Sequence, residues 1–229
     1  MIKFGYWNVR GLNKEGKQVV VNTFLHNNNV GLFGLLETKI KASKFHSIAS
    51  NIFSEWSIST NNNLHVGGSV WVLWKPHLFD IQFLQYDAQF IHMKVWNKMD
   101  HMNFFLTIVY AFNGIGDRES LWSNLQNFSS QINGPWAIGG DFNCVLDSNE
   151  RLGGNVSQAE SEPFYDCLQT CGLMDLAATG AFYTWNNKQP LATRIYSRLD
   201  RLFVNHEWMA SYPGFIANFL PEGLFDHTP

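Results

Sequence analysis

The segment Trp136-Ala137-Ile138-Gly139-Gly140-Asp141-Phe142-Asn143 is an apolar run that passes through two glycines and then presents a carboxylate and a carboxamide. Residues i and i+2 of a strand share a face, so Asp141 and Asn143 are predicted to point together from the end of a strand. The two groups suit the activation and aiming of a nucleophilic water. On turn chemistry alone, the commoner interpretation is an Asx-type turn. Both interpretations stay open at this point.

Other polar side chains follow apolar runs in the same way. They are Asn8, Glu37 and the adjacent pair Asp226-His227. Taken singly, Asn8 fits a turn, Glu37 fits a helix cap, and Asp226-His227 fits a solvated loop. Their recurrence at the ends of apolar runs favours one shared site.

In their order along the chain, these residues resemble the motifs of the endonuclease/exonuclease/phosphatase superfamily, whose fold is that of deoxyribonuclease I. The residues of these motifs look like those of the apurinic-endonuclease-like domain at the front of the reverse-transcriptase polyprotein of plant LINE-type (non-LTR) retrotransposons. The resemblance covers essentially the whole chain through ordered motifs at Trp7–Asn13, Leu36–Lys39, Val109–Asn113, Gly139–Asn143, Phe182–Trp185 and Ser197–Val204. It implies an endonuclease that nicks double-stranded target DNA to prime reverse transcription, with a reverse transcriptase domain in cis.

Composition limits the classes of protein that fit. The 229 residues, 45% of them hydrophobic, suffice for one domain with a large core. No apolar run approaches the roughly 18 residues of a membrane span, and the N-terminus lacks a secretory pattern. The cysteines, Cys144, Cys167 and Cys171, favour reduced thiols. We therefore expect an intracellular protein without a membrane partner, which is nuclear when it acts on DNA.

The formal net charge of −3 argues against a protein that holds nucleic acid by bulk electrostatics. Neutralising phosphates takes clustered Lys and Arg, which this composition does not supply in excess. Contacts to DNA are therefore expected to be local. A metal ion can supply positive charge at an acidic centre, so a mildly acidic nuclease is consistent with the composition.

Strand patterns dominate the sequence. Apolar or alternating runs predict strands at 2–8, 30–37, 69–74, 79–86, 90–96, 104–110, 136–139, 199–204 and 215–220. The run of strands between 69 and 110 leaves no room for helices. This spacing predicts antiparallel meanders and excludes a doubly wound parallel sheet.

Helical spacing occurs between these runs. One stripe extends from Leu121 to Ile132, with Asp117 as its predicted N-cap and Gly134-Pro135 as its stop. Further stripes lie at 164–171, which ends at Gly172, and at 45–52 and 20–24. The patterns and the resemblance together predict an α+β fold, a four-layer α/β/β/α sandwich of two mostly antiparallel sheets with outer helices, and with the polar strand ends along one edge.

The resemblance implies a metal centre. Glu37 would be the principal ligand of Mg²⁺, with Mn²⁺ as the alternative, and Asn8 would lie beside it. Asp226 would be a second ligand at the edge of the metal site. Asp141 would act as the general base, and Asn143 would orient the water or a phosphate oxygen.

The remaining roles concern the phosphate. His227 would meet the developing charge as an imidazolium with Asp200 on its other nitrogen, unless Asp200 forms a surface ion pair with a neighbouring arginine. Tyr110 would donate its hydroxyl to the scissile phosphate, or else be a buried ring. The positions that match substrate-binding residues of the family are Asn113 and Thr184, near the phosphate, and Trp185, beside the displaced nucleotide.

Two positions depart from the family pattern. The last motif usually reads Ser-Asp-His, whereas Phe225 precedes Asp226 here, which removes a hydroxyl and predicts reduced activity. Apurinic endonucleases carry an additional acid where this chain has Arg10, so single-metal chemistry is expected. The fold of the family also continues past Asp-His, so we expect the single domain, 1–229, to be truncated before its last strand, with an unpaired sheet edge.

Two alternatives to a nicking endonuclease stay open. One is a phosphatase or phospholipase-like member of the superfamily. Its inositol phosphatases usually follow the Asp-x-Asn motif with an aromatic residue and Arg, where this chain has Cys144-Val145. The other is a retroelement remnant that folds but is catalytically impaired, which Phe225 and the missing strand would favour.

Overall fold

The strands form in runs rich in β-branched, aromatic and leucine side chains, which suit a pleated surface that is buried on at least one face. The structure is a computed structural model that describes residues 3–64 and 70–229. Its strands are β1 (Lys3–Asn8), β2 (Val30–Leu36), β3 (Ser57–Thr60), β4 (Val70–Trp74), β5 (Phe79–Tyr86), β6 (Phe90–Asn97), β7 (Asn103–Tyr110), β8 (Trp136–Asp141), β9 (Arg151–Leu152), β10 (Met174–Asp175), β11 (Ala178–Gly180), β12 (Trp185–Asn186), β13 (Tyr196–Ser197), β14 (Asp200–Val204) and β15 (Ala217–Phe219).

Each predicted strand is present, and Ile2 and Ser69, which began two of them, lie outside the described residues. The prediction missed β3 and the short strands β9 to β13. Six strands form one large sheet in the order β10-β14-β8-β7-β6-β5, and four form another in the order β1-β2-β4-β3. Within these two sheets β1 with β2 and β7 with β8 are parallel pairs, and the other neighbours are antiparallel.

The helices are α1 (Glu15–Asn27), α2 (Ala42–Ile52), α3 (Glu119–Gln131), α4 (Gln158–Cys171) and the short α5 (His206–Ser211). One buried cluster joins the facing sides of the two large sheets. A second joins the six-stranded sheet to α3 and α4, and a third joins the four-stranded sheet to α1 and α2. The fold is therefore the expected mixed α/β architecture, with two packed sheets flanked by helices.

The helix ends test two predictions. Gly172 follows α4 in the left-handed conformation, with φ +62°, as a C-terminal glycine cap does. Asp117 is not the N-cap of α3, because it lies inside a 3₁₀ turn over Gly116–Arg118 and Arg118 takes the cap position. The chain enters α3 through this turn, which buries the Arg118 side chain.

Two glycines in β8 set the spacing between neighbouring backbones. A Cβ on Gly140 would lie 1.9 Å from the carbonyl oxygen of Val109, and one on Gly139 would lie 2.4 Å from the ring of Tyr6. The first contact is with the neighbouring strand and the second is with the opposite sheet. Both glycines therefore let β8 approach β7 and β1 closely.

In the described part of the chain, β1 is an edge strand of its sheet. An apolar cavity of about 440 Å³ lies beside it, lined by Phe4, Tyr6, Ile216 and Phe219 among others. The truncation before a last strand stays a prediction. No described helix has the length and apolar character that a membrane crossing requires.

Candidate active site

The register of the sheets brings the polar strand ends together. Asn8 is the last residue of β1 and pairs with Leu36, the last residue of β2. In the other sheet Asp141 pairs with Tyr110 on one side and with Asp200 on the other. Residues that are far apart in sequence therefore lie at one edge of the sandwich, as the sequence predicted.

Asp141 is held by a turn and by the opposite sheet. Its Oδ1 accepts the backbone N–H of Asn143 at 2.9 Å, and its Oδ2 accepts the Asn8 side-chain amide at 2.8 Å. The strand ends at Asp141 and Asn143 has φ +49°, so the prediction that these two residues share a strand face is wrong. The Asx turn and the site are one structure, because the turn fixes the carboxylate that Asn8 contacts.

His227 joins two carboxylates at this edge. Its Nδ1 is 2.8 Å from Asp200 Oδ2, and its Nε2 is 3.8 Å from Asp141 Oδ2. Burial acts to lower the pKa of His227, but the charges of Asp200 and Asp141 outweigh it and raise the pKa to about 9. Burial raises the pKa of Asp141 to about 6, against the opposing effects of His227 and of its hydrogen bonds. An imidazolium between two carboxylates is the arrangement that these shifts favour.

Thr184 and Trp185 fix this histidine from the side of β12. Thr184 is 1% exposed, and its Oγ1 accepts the backbone N–H groups of Leu199, at 3.0 Å, and Asp200, at 2.9 Å. Its carbonyl oxygen accepts the N–H of Thr228, and Trp185 forms a β-bridge with His227. The structure thus buries the Thr184 hydroxyl under Asp200 instead of presenting it to an open pocket.

Glu37 and Tyr110 lie on the other side of the site. Burial, followed by the charge of the nearby Glu37, raises the pKa of the Tyr110 hydroxyl. Glu37 Oε1 also lies 2.6 Å from Lys39 Nζ, and the Glu37 side chain is 12% exposed. Asn113 is exposed in the loop after Tyr110, and within the described chain its side chain makes no hydrogen bond.

Asp226 is paired with Arg10. Arg10 Nη1 donates to Asp226 Oδ2, and the Arg10 backbone N–H donates to Asn8 Oδ1. Burial acts to raise the pKa of Asp226, but the hydrogen bond from Arg10 and the charge of His227 lower it below its ordinary value. Asn8 and Asp226 therefore each have protein partners, and their role as metal ligands stays a prediction.

The donor set fits one divalent cation at Glu37. Mg²⁺ is commonly bound through one or two carboxylates, with water and substrate oxygens completing its shell, and Glu37 offers a partly exposed carboxylate. Ligand atoms of Asp141, Asp200 and His227 lie within 4.8 Å of one another, which is close enough for a metal. However, His227 Nδ1 is bonded to Asp200 and the raised pKa favours the imidazolium, which has no free lone pair. That trio suits proton handling better.

Buried polar residues that the sequence did not single out complete the site. Trp7 Nε1 donates to the His227 carbonyl oxygen at 3.0 Å. Gln89 Oε1 accepts the Phe112 N–H at 2.8 Å, and Arg118 donates to the carbonyl oxygens of Asn143 and Phe112. Only Trp7 had a signal in the sequence, since it adjoins Asn8 in a recognised motif. The others are isolated polar residues whose partners the sequence does not reveal.

The sequence model of the Endonuclease/Exonuclease/phosphatase family matches residues 5–219. Similar solved structures include the following three. The 3'-5' exonuclease (NExo) from Neisseria meningitidis has a TM-score of 0.71 at 19% identity and covers 99% of this chain and 96% of its own. The endonuclease domain of TRAS1, a telomere-specific non-LTR retrotransposon, has 0.70 at 14%, covering 97% and 93%. The AP endonuclease LMAP from Leishmania major has 0.68 at 14%, covering 91% and 80%. A search of curated protein sequences found no match. At these identities the structural similarities establish the fold.

Proposed function

Because the chain belongs to the endonuclease/exonuclease/phosphatase family, we propose that it is a Mg²⁺-dependent endonuclease that nicks double-stranded DNA. The observation that carries this proposal is the position of His227 between Asp200, at 2.8 Å, and Asp141, at 3.8 Å. Phosphodiester hydrolysis requires a base for the attacking water and positive charge for the phosphorane-like transition state. Asp141 and His227 are the groups that meet these two requirements.

Each side chain of the site then has a task. Asp141 accepts a proton of the water that attacks phosphorus, while Asn8 and the Asn143 N–H hold the two carboxylate oxygens in place. The bond from phosphorus to the 3′-oxygen breaks, and that oxygen leaves as the 3′-hydroxyl after it takes a proton from water. His227 donates from Nε2 to a phosphate oxygen, and Asp200 fixes the orientation of the ring and stabilises its positive charge. The Tyr110 hydroxyl lies near Glu37 and can donate a hydrogen bond to the scissile phosphate of the substrate. A Mg²⁺ ion on Glu37 would supply positive charge to a phosphate oxygen.

The packing of Phe225 supports an active enzyme over a folded remnant. Phe225 is 2% exposed and packs edge-on against Trp7, with ring centroids 4.3 Å apart. Its side chain lies in the core of the four-stranded sheet and the adjacent Asp226 and His227 stay in contact with Arg10 and Asp200. The aromatic ring therefore anchors the segment that carries the histidine.

The phosphatase alternative has less support. Cys144 and Val145 occupy the positions where inositol phosphatases of the superfamily usually carry an aromatic residue and Arg. Both are fully buried here, so neither offers a side chain to a phosphate headgroup. The DNA nicking function accounts for the site without such a contact.

The resemblance to plant LINE-type elements also indicates a biological role for the nick. A nick with a free 3′-hydroxyl would prime a reverse transcriptase domain carried in cis, and the reaction would take place in the nucleus. The fold it shares with a retrotransposon endonuclease domain is consistent with this role.

A supercoiled-plasmid assay tests the proposal. The wild type with Mg²⁺ should give relaxed circles whose nicks a DNA polymerase can extend, whereas EDTA should stop nicking. Asp141→Ala and His227→Ala should each lower the rate about 10²–10⁴-fold, the usual contribution of an acid or base. Lys98→Met, an exposed site at the opposite end of the six-stranded sheet, is the matched control.

Nicking that persists in EDTA, or that survives both substitutions in folded protein, would overturn the proposal. Circular dichroism and melting curves establish that the variants fold. Release of phosphate from a 3′-phosphorylated oligonucleotide without nicking would favour the phosphatase alternative instead.

A further inference from the structure

The two departures from the family pattern, Arg10 and Phe225, are joined by a lysine. Lys17 Nζ lies 4.7 Å from the centroid of the Phe225 ring, within the range of a cation–π contact. The same ammonium donates to the carbonyl oxygens of Val9, at 2.9 Å, and Arg10, at 3.0 Å. The ring at position 225 therefore helps to hold the cation that anchors the backbone of Arg10.

The segment that carries Arg10 is fixed on its other side as well. The N–H groups of Gly11 and Leu12 donate to the carbonyl oxygens of Glu37, at 2.7 Å, and Thr38, at 2.8 Å. Arg10 itself has φ +37°, a conformation that non-glycine residues adopt only where their surroundings impose it. Strain of this kind, held by several hydrogen bonds to residues 9–12 that include the one from the Arg10 N–H to Asn8, indicates a segment that presents the Arg10 side chain in one place.

Asp226 binds only one of the three nitrogens of the Arg10 guanidinium. Nη1 donates to Asp226, whereas Nε and Nη2 have no hydrogen-bond partner among the residues that the structure describes. The Arg10 side chain is 54% exposed, while that of Asp226 is 8% exposed. The buried carboxylate thus holds Nη1, and the other donors belong to a side chain that is more than half exposed.

The charges around Arg10 favour an anion. Three cations, Arg10, Lys17 and Lys39, lie with two carboxylates, Glu37 and Asp226, at this corner of the site, so the cations outnumber the carboxylates among these five residues. The whole chain, by contrast, has a net charge of −3. A guanidinium offers planar paired donors that match phosphate oxygens, and phosphate contacts position a protein on DNA.

We propose that Arg10 is a further substrate-binding residue, which contacts a backbone phosphate of the DNA beside the metal site, with Asp226 and the Lys17–Phe225 pair holding it in place. This inference rests on the proposed function, because it takes DNA as the substrate. The inference also gives Phe225 a function, since its aromatic ring supports the arginine that binds the DNA strand.

Salt-dependent binding of a short duplex, measured by fluorescence anisotropy in EDTA, tests the inference without catalysis. Losing one phosphate contact should reduce the slope of log K against log salt by about 0.9, which is about an eightfold loss of affinity at 0.1 M salt. Arg10→Gln should show this loss and Arg10→Lys should retain the wild-type slope. Lys98→Met, which removes an exposed cation far from the site, should also bind as the wild type does.

The double variant Arg10→Gln/Asp226→Asn distinguishes a direct contact between Arg10 and a phosphate from an effect of the protein's net charge. It keeps the net charge of the wild type, so a field effect alone would restore wild-type binding. A direct contact predicts that the slope stays reduced. Wild-type binding by the double variant, or an unchanged slope in Arg10→Gln, would overturn the inference.

The failure of the proposed function gives a different result. If the wild type neither binds nor nicks DNA, the nuclease proposal fails. If it nicks DNA but Arg10→Gln leaves the slope unchanged, the role of Arg10 alone is wrong. If Arg10→Gln lowers the slope but the wild type does not nick, then Arg10 binds phosphate and the catalytic proposal fails.

Discussion

Replacing Thr184 with valine separates two roles for a residue that the sequence assigned to substrate binding. Valine has nearly the same shape but no acceptor, so the buried N–H groups of Leu199 and Asp200 would lose the oxygen that lies 3.0 and 2.9 Å away. A buried unsatisfied donor costs about 1–3 kcal/mol, so two cost about 2–6 kcal/mol. For a chain of this length, about 3 kcal/mol lowers the melting temperature by about 6–12 °C.

The same change should impair catalysis, because Asp200 holds His227 at 2.8 Å. We expect Thr184→Val to lower kcat for plasmid nicking at least tenfold with little change in KM. Thr184→Ser is the matched control, since it keeps the hydroxyl and loses one methyl group, which costs about 1 kcal/mol. It should melt within about 2–4 °C of the wild type.

A phosphate contact predicts the opposite pattern. If Thr184 touched the substrate, valine would raise KM and leave the melting temperature near that of serine. Calorimetry together with steady-state nicking distinguishes these outcomes. A Thr184→Val protein that melts like the wild type would refute the reasoning.

Three further changes have defined outcomes. Burial lowers the pKa of His92 to about 4, so the stability it contributes is complete above about pH 6.5 and is lost as the pH falls towards 4. Between neutral pH and pH 5.5 the wild type should therefore lose about 1.4 kcal/mol of unfolding free energy, measured by urea titration. His92→Asn retains an acceptor for Thr107 and should not show this loss. Equal losses in the two proteins would contradict the prediction. Lys39→Met should free Glu37 Oε1 and tighten Mn²⁺ binding about two- to fivefold by electron paramagnetic resonance, and unchanged affinity would argue against Glu37 as a ligand. A peptide that adds an apolar strand to the edge of β1 should raise the melting temperature of the protein. The same peptide with proline at alternate positions lacks the N–H groups for pairing and should not raise it.

The sequence predicted the large strands because each is a run of apolar or alternating side chains. It missed β3, Ser57–Thr60, where every residue is half-buried and three of the four are hydroxyl residues, so no alternation shows. Strands of two residues, such as β9 and β12, are too short to show a repeating alternation of side chains. Their pairing depends on tertiary contacts with β13, which a local pattern does not contain.

The residues that form the site were easier to predict than the hydrogen bonds between them. Resemblance grouped Asn8, Asp141 and His227 although 133 residues separate the first two, which no local rule connects. The resemblance also implied the contact between His227 and Asp200, which the structure shows, but the partners of the other side chains were not predictable. The hydroxyl of Thr184 faces inward, and Asp226 binds Arg10, because short-range packing decides where a polar group finds its hydrogen bond.

The arrangement of Asp200 and Arg201 shows how strand geometry keeps opposite charges apart. The two residues are adjacent in β14, so their side chains point to opposite faces and cannot form the surface pair that their sequence allowed. Arg201 is fully buried and binds Glu150 and Asp175 instead. Because these two acids neutralise it, its charge does not compete for Asp200. Asp200 is thereby left to His227, which is the pairing that the proposed chemistry requires.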